Sequence, residues 1–258
     1  MAAKTKFGDS VRFCVLCVVL IWVIHAIVFF AHEYAHSGTA WMLGYKENPW
    51  ALEYGRFNLS NLVLFGEVDE NVDYQSIFAQ GRGLAAAWIA FAGMGMNALL
   101  YGFSRMLLRR QSVRNNPFFL LCIFWFCFMN VGNFYDYVPV RTFASHGDIA
   151  NMRRGLNVSP WLILVVLGYP TALAIWHFFA RILREALPRI THGVKPQQVF
   201  TVLTSAFLMF GYFGASGLSG YGEVSQVLSG ISALAAPAVA LLCSPLVSDT
   251  RIESSRRD

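Results

Sequence analysis

Charge is what this sequence has little of. Lysine, arginine, aspartate and glutamate make up 14% of the chain, against about 25% in an ordinary soluble domain, and a water-facing surface needs more than that. The shortage excludes an ordinary soluble globule. Cysteine is scarce wherever a disulfide framework would need it: Cys14, Cys17, Cys122, Cys127 and Cys243 all lie in apolar runs, so no stapled secreted scaffold is implied. Cys14 and Cys17 form a C-x-x-C, but within an apolar run they read as two small apolar residues. A single basic stripe is also missing. The net charge of +5 is spread over alternate loops, which argues against nucleic acid as a partner. No internal repeat or low-complexity segment breaks the chain into units.

What the sequence has instead is long apolar runs, with 56% hydrophobic residues overall. About 20 residues cross a hydrocarbon core, and six runs reach that length: Phe13 to about Leu43, Leu84–Leu108, Pro117–Tyr135, Trp161–Leu183, Val199–Leu218 and Val224–Leu246. Backbone groups in lipid must be satisfied within their own segment, so the runs should be helices. The expected fold is an all-α polytopic bundle of about six spans, one membrane domain filling residues 1–258. Basic residues precede span one (Lys4, Lys6, Arg12), follow span two (Arg105, Arg109, Arg110, Arg114) and follow span four (Arg181, Arg184, Arg189, Lys195), and the tail carries Arg251, Arg256 and Arg257. The loop from Tyr45 to Gly83 is acidic. The positive-inside rule then puts both termini in the cytoplasm of a multi-pass protein, with the cell membrane as the expected location. Within the acidic loop, Phe57–Phe65 has alternation and branched residues of the kind that strands use.

One segment carries metal chemistry. His32-Glu33-Tyr34-Ala35-His36 is an HExxH at the end of span one. On a helix, the two imidazoles at i and i+4 share a face and can bind one Zn²⁺, while the glutamate reaches a metal-bound water as general base. Ionisable groups inside a membrane helix are costly and mark a functional interior. His25 shares that face but stands about 10 Å from His32, too far for the same ion, and reads as a core histidine. A catalytic zinc needs a third protein ligand. His177 and His192 fall at the cytoplasmic end, which leaves Asp136, His146 and Asp148 after span three as candidates. Asp136 can alternatively pair with Arg141. Asn97, Asn130 and Asn133 are polar groups in apolar helices, suited either to interhelical hydrogen bonds or to holding substrate.

In this pattern the sequence resembles the site-2 protease family of intramembrane metalloproteases. HEYAH lies in span one; Ala92-Gly93-Met94-Gly95-Met96-Asn97 in span two is similar to the family's A-G-P-x-x-N, with methionine for proline. After span three come Asn133-Phe134-Tyr135-Asp136-Tyr137-Val138-Pro139 and Ser145-His146-Gly147-Asp148, where the family has N-x-x-P and L-D-G; here the glycine precedes the aspartate. The resemblance covers residues 20 to 150, within a catalytic core of about 13–150, with additional helices over about 160–246. It implies a zinc endopeptidase cleaving membrane-spanning protein substrates within the bilayer. Zn²⁺ would sit on His32, His36 and Asp148, in preference to Asp136; Glu33 would be the general base, and Asn97 and Asn133 would contact substrate. The family's β-hairpin, which pairs with substrate, would correspond to Phe57–Phe65, unless that segment is an amphipathic loop packed on the bundle. The rival reading is a non-catalytic metal-binding transporter or scaffold. A transporter would be expected to spread polar residues over several spans, and spans five and six look poor in them.

Overall fold

Apolar sequence in runs of this length has one economical solution, and the computed structural model adopts it. It describes residues 2–218 and 220–247; the tail arginines and the side chains before Gly8 lie outside the described residues. The helices are α1 (Ala2–Met42), α2 (Leu59–Leu64), α3 (Tyr74–Ala79), α4 (Gly83–Arg109), α5 (Gln111–Arg114), α6 (Pro117–Tyr135), α7 (Asp148–Leu156), α8 (Pro160–His177), α9 (Leu183–Ile190), α10 (Lys195–Ala206) and α11 (Glu223–Cys243). Wider π-type turns extend α6 to Val140, join α8 to α9 and prolong α10. Among the described residues, six helical segments are long and apolar enough to cross a membrane: Gly8–Met42, Gly83–Arg109, Pro117–Val140, Pro160–Ile190, Lys195–Leu218 and Glu223–Leu246. The protein is an all-α polytopic membrane bundle.

α6 is its centre. Asn116 caps the helix by accepting from the backbone N–H groups of Phe118 and Phe119, and Pro117 supplies the fixed φ that suits a first turn. Phe124, Trp125 and Phe128 are fully buried there, against Phe178 of the α8–α9 junction and Phe213 beyond α10. Side chains such as Val15, Val18, Val165, Leu234 and Leu241 are exposed on the bundle's outside, as lipid contact requires.

Two departures from the sequence expectation stand out. Phe57–Phe65 does not become a strand: among the described residues no strand forms, and only an isolated antiparallel bridge joins Glu53 to Asp69. Asn58 caps a short helix by accepting from the Asn61 N–H, Asn61 donates its amide to the carbonyls of Tyr54 and Arg56, and Phe65 ends the turn with φ 56°. Leu59, Leu62 and Val63 are as well spaced for one helical face as for a strand, and they lie exposed together. Spans five and six also bury more polar groups than their hydropathy suggested. Gln198, Thr201 and Ser205 are buried on α10, and Ser225, Ser229 and Ser232 on α11. Small hydroxyls enter such spans cheaply because they bond back to main chain, as Thr201 does to Gln197 and Ser232 to Phe210.

Short helix α7 is what positions the site. Gly155 lies so close to Gly83 of α4 that a Cβ would overlap the Gly83 carbonyl oxygen and crowd Ala87. Glycine and alanine thus bring α7 and α4 into backbone contact. Gly147, with φ 82°, turns the chain immediately before α7, so Asp148 is the first helical residue and faces back into the bundle.

Candidate metal centre

α1, α4 and α7 bring three ligand-type atoms together. His32 Nε2 and His36 Nε2 are 2.9 Å apart, and Asp148 Oδ2 is 3.2 Å from each. Donor atoms about 2.0–2.1 Å from one tetrahedral ion stand about 3.3 Å from one another, so this triangle is the face that a zinc-sized ion would occupy. His32, His36 and Asp148 form the His/Cys/Asp/Glu group, among the described residues, whose ligand atoms are arranged to hold a metal. The other two candidates for the third position go elsewhere. Asp136 is ion-paired with Arg141, and His146 is exposed and stacked on Tyr221.

The proton positions follow from the outer contacts. His36 Nδ1–H donates to the Ile89 carbonyl at 2.6 Å, and His32 Nδ1–H donates to Asn97 Oδ1 at 2.6 Å. The Asn97 amide is itself fixed: Asn130 must donate its NH₂ to the Phe126 carbonyl, which leaves the Asn130 oxygen to accept from Asn97 Nδ2 at 3.1 Å. Each neutral imidazole therefore presents an unprotonated Nε2 to the triangle. Two lone pairs and a carboxylate oxygen within 3.2 Å repel one another unless a cation lies between them. Glycine at position 93 completes the cradle, because a Cβ there would overlap the Nε2 atoms of both histidines. The residues present fit a zinc ion on geometry, donor type and protonation.

A cavity of about 370 Å³ opens beside the triangle, lined among others by Glu33, Glu70, Asn133 and Tyr137. Glu33 is buried to 6% exposure within one helical turn of both histidines. Asn133 faces this cavity while its NH₂ bonds the Met129 carbonyl. Asn97, expected at the substrate, does not line the cavity; its amide is occupied by His32 and Asn130, which makes it a positioning residue. His25 is a buried histidine as expected, receiving the Tyr212 hydroxyl at 3.2 Å and packed on Phe65 and Phe213.

Two residues gave no signal in the sequence. Tyr137 stacks on the His32 ring with centroids 5.1 Å apart, and its hydroxyl lies 3.1 Å from His32 Nε2. It stands on the last helical turn of α6, and the helix breaks immediately after it, at Val138 before Pro139 (φ −135°, ψ 117°). Glu70 is a second buried acid on the cavity; Lys46 clamps its backbone carbonyl, and burial pushes its carboxyl up to about 7. Compared with known proteins, the chain matches no family model, no curated protein and no solved structure.

Proposed function

We propose that the chain is a zinc-dependent intramembrane endopeptidase of the site-2 protease kind, with membrane-spanning proteins as substrates. The observation that carries this reading is the convergence of His32, His36 and Asp148, with both Nε2 lone pairs turned inward and Glu33 on the adjoining cavity. A bound zinc ion supplies Lewis acidity, lowering the pKa of a water towards about 7 and drawing charge from a carbonyl oxygen. Glu33 takes the proton from the attacking water and returns it to the leaving amine. Tyr137, with its hydroxyl on the open side of the triangle, donates a hydrogen bond to the carbonyl oxygen as it gains charge. Asn133 holds the substrate main chain.

Helical hydrogen bonding and the neighbouring turns cover the carbonyls of a membrane-spanning substrate, so it must unwind at the scissile bond for a carbonyl to reach the triangle. By loop charge, the triangle lies towards the non-cytoplasmic face, with both termini in the cytoplasm. Glu33 beside the ligands is placed to work on a metal-bound water, which a scaffold that only holds the metal does not need, and on this hydrolysis is the better reading.

The test is Glu33→Gln in the purified full-length protein, with zinc measured by mass spectrometry and cleavage followed on a single-span reporter. The variant should insert, bind zinc like the wild type and cleave nothing, since only the general base is lost. Equal cleavage by variant and wild type would sink the protease reading.

A further inference from the structure

The opposite end of α4 carries a second polar cavity, unrelated to the metal triangle. Arg105 lies 12 residues beyond Gly93 on the same helix, about 18 Å along its axis. There a cavity of about 360 Å³ is lined by Arg105, Arg109, Arg114, Arg181 and Arg189. The arginines come from α4, α5 and the α8–α9 segment, so they converge from three elements and are not the charged stripe of one helix. Five guanidinium groups face one lining carboxylate, Glu185, and among the described residues none of the five is in an ion pair. Arg56 and Arg141, by contrast, each hold a carboxylate. Arg105 and Arg114 are half-buried, so their charge is not simply handed to bulk water. The remaining wall is His177, tied to the Tyr101 hydroxyl, and an apolar stretch of Leu108, Leu120, Ile182, Ala186 and the ring of Trp176.

Uncompensated guanidinium groups crowded around a cavity repel one another, and a polyvalent anion removes that cost. Their planar forks match phosphate oxygens two at a time. The apolar wall sits where the spans leave the hydrocarbon, as a molecule with a charged head and an acyl body requires. We propose that this cavity binds a phosphate-bearing anion, with an anionic phospholipid headgroup as the form that both its walls accommodate. The site does not depend on the protease reading.

The experiment uses the full chain in neutral detergent micelles doped with phosphatidylglycerol, with retained lipid read by native mass spectrometry. Wild type should retain phosphatidylglycerol in preference to phosphatidylcholine. Arg105→Gln with Arg181→Gln should weaken retention about thirty-fold, taking about 1 kcal/mol per arginine. Arg110→Gln with Arg184→Gln is the control, because it removes the same charge from the same end of the bundle at positions that do not line the cavity. It should retain lipid like the wild type. Arg181→Gln alone, at an exposed position, should fall about five-fold and guards against misfolding of the double variant. A second arm adds inorganic phosphate and glycerol phosphate. Binding of these to wild type but not to the Arg105/Arg181 variant, without lipid preference, assigns the same cavity to a soluble phosphate. Equal loss in both double variants, or loss in neither, overturns the proposal.

Discussion

α4 runs between two polar clusters that handle charge in opposite ways. At its Gly93 end, acidic and imidazole groups converge with their outer atoms tied into a relay that ends on main-chain carbonyls. At its Arg105 end, cations converge with almost no acid to answer them. The first cluster has every proton placed, and its inward lone pairs call for a small cation. The second has donors in excess and a cavity sized for a larger anion. A buried or half-buried charge must be balanced, and the difference shows that a protein can leave that balance to a ligand with either sign. It also separates tight geometric demand, met by atoms 2.9–3.2 Å apart, from loose electrostatic demand met by five long side chains around one cavity.

The sharpest break in this comparison is at Asp148. Asp148→Asn removes the only negative ligand in the triangle and should lower zinc affinity by more than the roughly 10–100-fold typical of an outer-contact loss. Asp136→Asn should leave zinc in place, because Asp136 is engaged with Arg141 and not with the histidines. Zinc content of the two variants, each checked for membrane insertion, decides this. The reverse order would mean that the Gly147 turn does not hold α7 where it is described.

Next in size is Tyr137→Phe. If the phenol donates to the carbonyl oxygen only as charge builds up, its loss should lower kcat about 10²–10³-fold, with KM and zinc content nearly unchanged. An unchanged kcat would remove Tyr137 from the chemistry, and loss of zinc would make it a ligand instead. Asn97→Ala acts further out. His32 would keep its position by packing but lose the acceptor for its Nδ1–H, so zinc affinity should fall about 10–100-fold while kcat of the zinc-saturated protein changes little. Equal affinity would show that the Asn97–Asn130 relay does not orient the imidazole.

How much of this was readable beforehand follows the range of the interactions. The spans were legible because hydropathy over 20 residues is a local sum, and the i, i+4 histidines because helix geometry is local too. Asp148 was reachable as the preferred of three candidates, from the turn-like Ser145-His146-Gly147 before it, but 116 residues separate it from His32 and the Gly83–Gly155 contact that sets α7 against α4 left no mark in the sequence. Phe57–Phe65 misled because its spacing suits both periods, and the asparagine capping at Asn58 decided the matter locally. Tyr137 was invisible: its place depends on the packing of the end of α6 against His32, 105 residues away, in a helix that otherwise reads as apolar. Convergence of arginines from three elements was equally hidden, because in sequence each group is an ordinary basic loop end.

The smallest expected effect concerns a third way of balancing charge, by an exposed partner. Glu67 accepts from the Arg56 backbone N–H at 2.9 Å, from its guanidinium at 2.9 and 3.2 Å, and from Asn58 at 3.3 Å. The Arg56 side chain, then its backbone N–H, pulls the Glu67 carboxyl down to about 2. A carboxyl whose folded pKa lies below its unfolded value of about 4.3 contributes stability that is complete above that value and disappears as pH falls through the folded one. Glu67 precedes Val68, Asp69 and Glu70, which line the metal-side cavity, so the pair braces a wall of the site from outside. Solvent and salt reach it freely, and its contribution is therefore small. The difference in melting temperature between wild type and Glu67→Gln should be slight at neutral pH and should shrink further as pH falls from about 5 to about 2, and again when salt is raised. No difference at any pH in that window would show that Glu67 acts through shape, which glutamine keeps, by its close approach to Gly55, and not through its charge.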